Sequence, residues 1–148
     1  MTPREQLRDR IDTIEEGYEF FLAYAAQGLA GDGDSGPGAE LREYLGRVEE
    51  AVAGLSDVMG ALMEGEESEP AASHRLDEFR HVVADDARKA GAALRLVSAQ
   101  PSISSQLVDN LNASIHLRAL LTDLFLLDEI LDLGVPETTT KGGEPGRS

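Results

Sequence analysis

The sequence predicts an all-α chain, an up-and-down antiparallel four-helix bundle with a disordered C-terminal tail, and three observations carry that expectation. Apolar residues recur at helical steps of three and four in four separate stretches. Those stretches are separated by segments rich in Gly, Pro or acidic residues, which punctuate rather than continue a helix. The last stretch also carries far more apolar surface than one amphipathic face needs, so the others read as material packed against it. At 148 residues the chain is long enough for one core, burying about two thirds of the surface that the unfolded chain exposes. One domain over 1–134 is expected, with helices at about 3–28, 38–63, 72–98 and 103–133 and a flexible tail over 135–148.

The first helix starts at Thr2-Pro3-Arg4-Glu5. Thr2 caps, Pro3 suits the first helical position and Glu5 completes a capping box. Leu7, Ile11, Ile14, Tyr18, Phe21 and Ala25 then form a seam with alternating steps of four and three. Gly17, Phe20 and Tyr24 lie beside it, and Gly17 lets another backbone approach at a cost on the order of 1 kcal/mol relative to alanine.

Gly31 to Gly38 is a loop. Asp32, Asp34 and Glu43 fall at the first, third and twelfth positions of a calcium-loop pattern, but Pro37 stands where the turn glycine is needed and Gly36 where a ligand is needed. Pro37 reads instead as the opening of the second helix, whose seam is Leu41, Leu45, Val48, Val52, Leu55, Met59 and Leu62. Gly46, Gly54 and Gly60 mark thin places in it.

Glu64 to Pro70 is an acidic linker without an apolar residue. The third helix follows with the seam Leu76, Phe79, Val83, Asp86, Ala90, Ala93 and Val97, in which Asp86 interrupts an apolar row. Pro101 and Ser102 make the next connection short, so the third and fourth helices are expected as antiparallel neighbours. The fourth helix presents Leu107, Leu111, Ser114, Arg118, Leu121 and Phe125 as its seam, widened by Leu120, Leu124, Leu127 and Leu131. Asp86 and Arg118 stand at nearly equal distance from the Pro101 turn and are expected to pair, since a lone charge in a seam costs several kcal/mol. Gly134 and Pro136 end the helix.

Thirteen basic against twenty-eight acidic residues give a formal charge of -15. That charge argues against nucleic acid and anionic lipid as partners, because both bind through basic patches. With no cysteine there is no disulfide frame, thiolate nucleophile or Cys-ligated zinc. The charged N-terminal stretch from Arg4 lacks the apolar core of a signal peptide, so a cytoplasmic setting is expected.

Chemistry-bearing patterns are sparse. A di-metal bundle needs two Glu-x-x-His motifs, and only Glu78 with His81 supplies one; His116 on the fourth helix has Asn112 four residues before it and no matching glutamate. No metal and no cofactor are therefore expected. Ser105, Asp109, Asn112, His116 and Asp123 line up as a polar stripe on the fourth helix, in which a carboxylate beside His116 would make a pH-sensitive contact. Asp109, Asn112, His116, Arg118 and Asp86 are thus the ligand or switch candidates, and no catalytic set is complete.

Function follows from surplus apolar surface rather than from chemistry. The expectation is a non-catalytic interaction module, an assembly factor, adaptor or chaperone-like subunit acting as a homo-oligomer, most simply a dimer, or receiving a different protein on the same surface. Its interface is expected at Leu120, Leu124, Leu126, Leu127, Ile130 and Leu133, with Phe20 and Tyr24 as a second wall. The alternative is a bundle enclosing a small ligand or metal between the third and fourth helices, lined by Glu78, His81, Asp109 and His116, with catalysis as an extension of that reading.

Overall fold

The computed structural model describes residues 1–33, 36–65 and 70–133, and among these the chain is all-helical, without a strand. The helices are α1 (Pro3–Ala26), α2 (Pro37–Ala53), α3 (Leu55–Gly65), α4 (Pro70–Ser98), α5 (Ser105–Ala113) and α6 (Ile115–Leu131). Two of the expected helices are therefore each divided in two. The tail over 135–148 and most of the acidic linker lie outside the described residues.

The capping box of α1 is present: the Glu5 N–H donates to Thr2 Oγ1 at 3.1 Å and the Thr2 N–H to Glu5 Oε1 at 3.0 Å. Leu7, Ile11, Ile14, Phe21 and Tyr24 of α1 are buried against α2, α3 and α5, while α6 touches α1 more lightly. Gly17 faces Val48 so closely that a Cβ there would collide with the valine side chain. α4 lies mainly against α2, α3 and α6. No helix among the described residues is long and apolar enough to cross a membrane.

Gly54 ends α2, and the interruption strips the carbonyls before it of their helical partners. Arg10 of α1 replaces them: its Nη1 donates to the oxygens of Glu50 at 2.9 Å and Ala51 at 3.2 Å. The guanidinium lies directly over Gly54, where a Cβ would collide with it. The thin place in the second seam is thus a bend held from another helix.

The break between α5 and α6 has no glycine or proline. Ser114 adopts an extended conformation, φ -59 and ψ 130, and serves both helices. Its N–H donates to the Leu111 oxygen, and its hydroxyl accepts the His116 N–H at 3.2 Å. Asn110, Asn112 and Ser114 are residues whose side chains compete with the helical backbone, which favours a break where they cluster.

That break rotates the helix that follows. On one uninterrupted helix the buried Val108 and Asn112 would be continued by Ala119, Leu126 and Ile130, and the buried Leu111 by Arg118 and Phe125, at steps of four and seven. Instead α6 buries Leu117, Leu120, Leu121, Asp123, Leu124 and Leu127. Arg118 and Phe125, expected in the seam, are exposed for this reason.

Candidate functional site

The outward face of α6 carries an apolar row. Ile115, Leu126 and Ile130 are 73 %, 48 % and 72 % exposed. At about 100° per residue they share one face with half-buried Ala119 and exposed Thr122, opposite the buried leucines. Phe125, also exposed, lies on the flank toward α1. Val82 of α4 is exposed one turn before Asp86, beside the place where α4 meets α6.

Much of the expected interface lies elsewhere. Leu120, Leu124, Leu127 and Leu133 are buried inside the chain. Tyr24 is fully buried and donates its hydroxyl to the Ile103 oxygen at 2.9 Å. Phe20 is half-buried and stacks on Tyr44 with ring centroids 4.6 Å apart. Leu126 and Ile130 remain outward, and Ile115, whose place beyond the break at Ser114 the seam pattern did not reveal, extends their row.

The switch and metal candidates are also dispersed. Glu78 is exposed and pairs with Arg75 at 3.5 Å, and His81 is exposed with Nε2 3.8 Å from Asp77. Asp109 and His116 are exposed on α5 and α6. Among the described residues no three His, Asp or Glu side chains converge as metal ligands.

The expected pair of Asp86 with Arg118 is replaced by a different one. Arg118 points outward, and Asp86 faces Asp123 across the α4–α6 contact. Burial, then a hydrogen bond to Asp86 that only the protonated acid can make, then repulsion by the Asp86 charge raise the Asp123 carboxyl to about 7. Asp123 Oδ2 is buried with no donor aimed at it. Asn112 is likewise buried with neither its Nδ2 nor its Oδ1 partnered.

At the opposite extreme stands the cluster where the ends of α1 and α4 meet the starts of α2 and α5. Asp32, 8 % exposed, accepts from Arg42 Nε at 2.7 Å and from the Ile103 N–H at 2.6 Å. The hydrogen bond from Arg42 leads the effects that hold its carboxyl below the usual range, opposed by burial and reinforced by Ile103. Arg42 also donates to the oxygens of Ser98 at 2.9 Å and Gln100 at 2.8 Å. Ser105 donates to the Tyr24 oxygen at 2.6 Å and accepts the Leu29 N–H at 2.8 Å. A Cβ at Gly38 would run into the Asp32 carbonyl, so this close approach requires glycine. Asp32, singled out for calcium by spacing alone, is committed to these donors.

An open depression of ≈ 620 Å³ lies over this cluster, lined in part by Gly33, Ala39, Arg42 and Pro101. Its floor is the Arg42 fork, whose donors already serve Asp32 and two carbonyls. The α6 row is a different kind of feature, with apolar groups that nothing among the described residues covers. Comparison with family models, with curated proteins and with solved structures finds no match to this chain.

Proposed function

We propose that this protein is a non-catalytic helical interaction module that acts as a homo-oligomer, most simply a twofold dimer built on α6. We read the six helices of the described residues as four rods in up-and-down order, with α2–α3 and α5–α6 each forming one interrupted rod. In that arrangement a rod buries the face turned inward. The observation that carries the reading is the row Ile115, Leu126 and Ile130, which stays exposed after the α6 leucines have filled the core. Contiguous apolar surface of this kind is what monomers avoid and interfaces use. The formal charge of -15 supports partners other than nucleic acid or anionic membranes, and we place the chain's action in the cytoplasm. A ligand or metal chamber has less behind it, because Glu78, His81, Asp109 and His116 all face outward.

Light scattering on the wild type and on Leu126→Glu plus Ile130→Glu tests the proposal. A wild-type dimer at micromolar concentration and a folded, monomeric double variant are the expected results. A wild-type monomer, or a double variant that unfolds, overturns it.

A further inference from the structure

One flank of the α6 row carries a cation and an anion. Arg118 and Glu129 are both exposed on the flank of α6 that faces away from Asp123. They stand about three turns, roughly 16 Å, apart, too far to reach each other. Arg118 forms no ion pair among the described residues, and neither does Glu129. Helical spacing gives them none either, since Thr122 follows Arg118 by four residues and Phe125 precedes Glu129 by four.

The apolar row has its own centre. Ile115 and Ile130 are placed symmetrically about the midpoint between Thr122 and Asp123, and so are Ala119 and Leu126. Arg118 and Glu129 are centred one residue further on, an offset of about 1.5 Å along the axis that long side chains absorb. A twofold axis perpendicular to the helix, passing beside the row at the height of that centre, sets the row against its copy with the direction reversed and keeps each flank on its own side.

Resting on the dimer reading above, we infer that α6 docks on α6 of a second copy in antiparallel register, with Ile115 against the partner's Ile130 and Arg118 paired with the partner's Glu129. The symmetry makes both contacts twice. Parallel twofold pairing would carry the charged flank to opposite sides of the contact in the two copies, so Arg118 and Glu129 would face neither each other nor their own copies and the charge match would be lost. Thr122 falls near the axis, where two copies approach most closely and a small side chain fits. Val82 of α4 lies at the edge of the row and adds to its apolar area.

The full chain tests this by charge exchange. Arg118→Glu and Glu129→Arg, each made alone, put like charges at both symmetric contacts and are expected to weaken self-association about tenfold, as two small surface pairs turned repulsive. Mixing these two variants brings opposite charges back together, so they are expected to form a mixed dimer about as tight as the wild type. The chain has no cysteine, so a second test is available. Oxidising a mixture of Ile115→Cys and Ile130→Cys chains is expected to give the cross-linked pair between the two variants in preference to either like pair.

A monomeric wild type would overturn the dimer reading and leave the row to a different protein. A wild-type dimer whose reversed variants fail to pair on mixing, or whose cysteine variants link like to like, would overturn the antiparallel register while the dimer stands. Circular dichroism of each variant separates loss of association from loss of fold.

Discussion

Asp32 and Asp123 are buried to nearly the same degree, 8 % and 7 % exposed, yet their surroundings drive them in opposite directions. Asp32 sits among donors supplied by Arg42 and Ile103, so its charged form is the favoured one. Asp123 sits against a second carboxylate with one oxygen left without a donor, so its neutral form is favoured. The region around Asp32 joins four helix ends with complementary donors and acceptors and is built to stay closed. The α4–α6 side carries the Asp86–Asp123 contact and the exposed row, and α5 before it holds the unpartnered amide of Asn112, which is the pattern expected where selection acts on something besides stability.

Three substitutions sharpen this contrast. Asp32→Ala leaves the Ile103 N–H and part of the Arg42 fork without an acceptor, and is expected to destabilise by about 2–4 kcal/mol in urea unfolding at neutral pH. A loss well below that would show that the helix ends are held by Tyr24, Ser105 and the Arg42 bonds to Ser98 and Gln100 without Asp32. Because the Asp32 carboxyl lies below its usual range when folded, its contribution is present above the unfolded value of 3.8 and is lost as pH falls through the folded value.

Asp123 has the opposite sign. Its folded value of about 7 exceeds 3.8, so the native state holds the proton more tightly and stability declines as pH rises between those values. Asp123→Asn removes that titration and keeps a donor for Asp86. Thermal unfolding is expected to show a gain of roughly 1–2 kcal/mol over the wild type near pH 8 and little difference near pH 4. An equal difference at both pH values would mean that Asp123 does not titrate with folding.

The smallest effect is expected at Asn112. Its amide is buried with both ends unpartnered, so Asn112→Leu should raise stability by about 1 kcal/mol. A loss in denaturant unfolding would show that the amide is satisfied in solution.

Local chemistry made part of this molecule legible from residues alone. Thr2, Pro3 and Glu5 announce the start of α1 because a cap is a contact between near neighbours. The seams through Leu7, Ile11 and Ile14 and through Leu41, Leu45 and Val48 are readable because burial there follows helical phase without interruption. Ser114 defeated the same reasoning. One residue in extended geometry shifts the phase of everything after it, so Phe125 and Arg118 leave the seam and Leu120, Leu124 and Leu127 enter the core. The partner of Asp86 changed with that shift. Tyr24 was misplaced for another reason: its hydroxyl finds the Ile103 carbonyl, a long-range contact that spacing along α1 does not reveal. The signal that would have located the break was present in Asn110, Asn112 and Ser114, three residues that favour caps and turns at alternate positions.

The bend at Gly54 bears on the order in which the chain takes shape. Its exposed carbonyls are satisfied by Arg10, a residue made long before them during synthesis, so the donor is already waiting when the acceptors emerge. A fragment beginning after α1 would have to fray at this point or straighten into one continuous helix. The break between α2 and α3 is therefore held by a guanidinium from α1, so the shape of one element depends on the presence of the other.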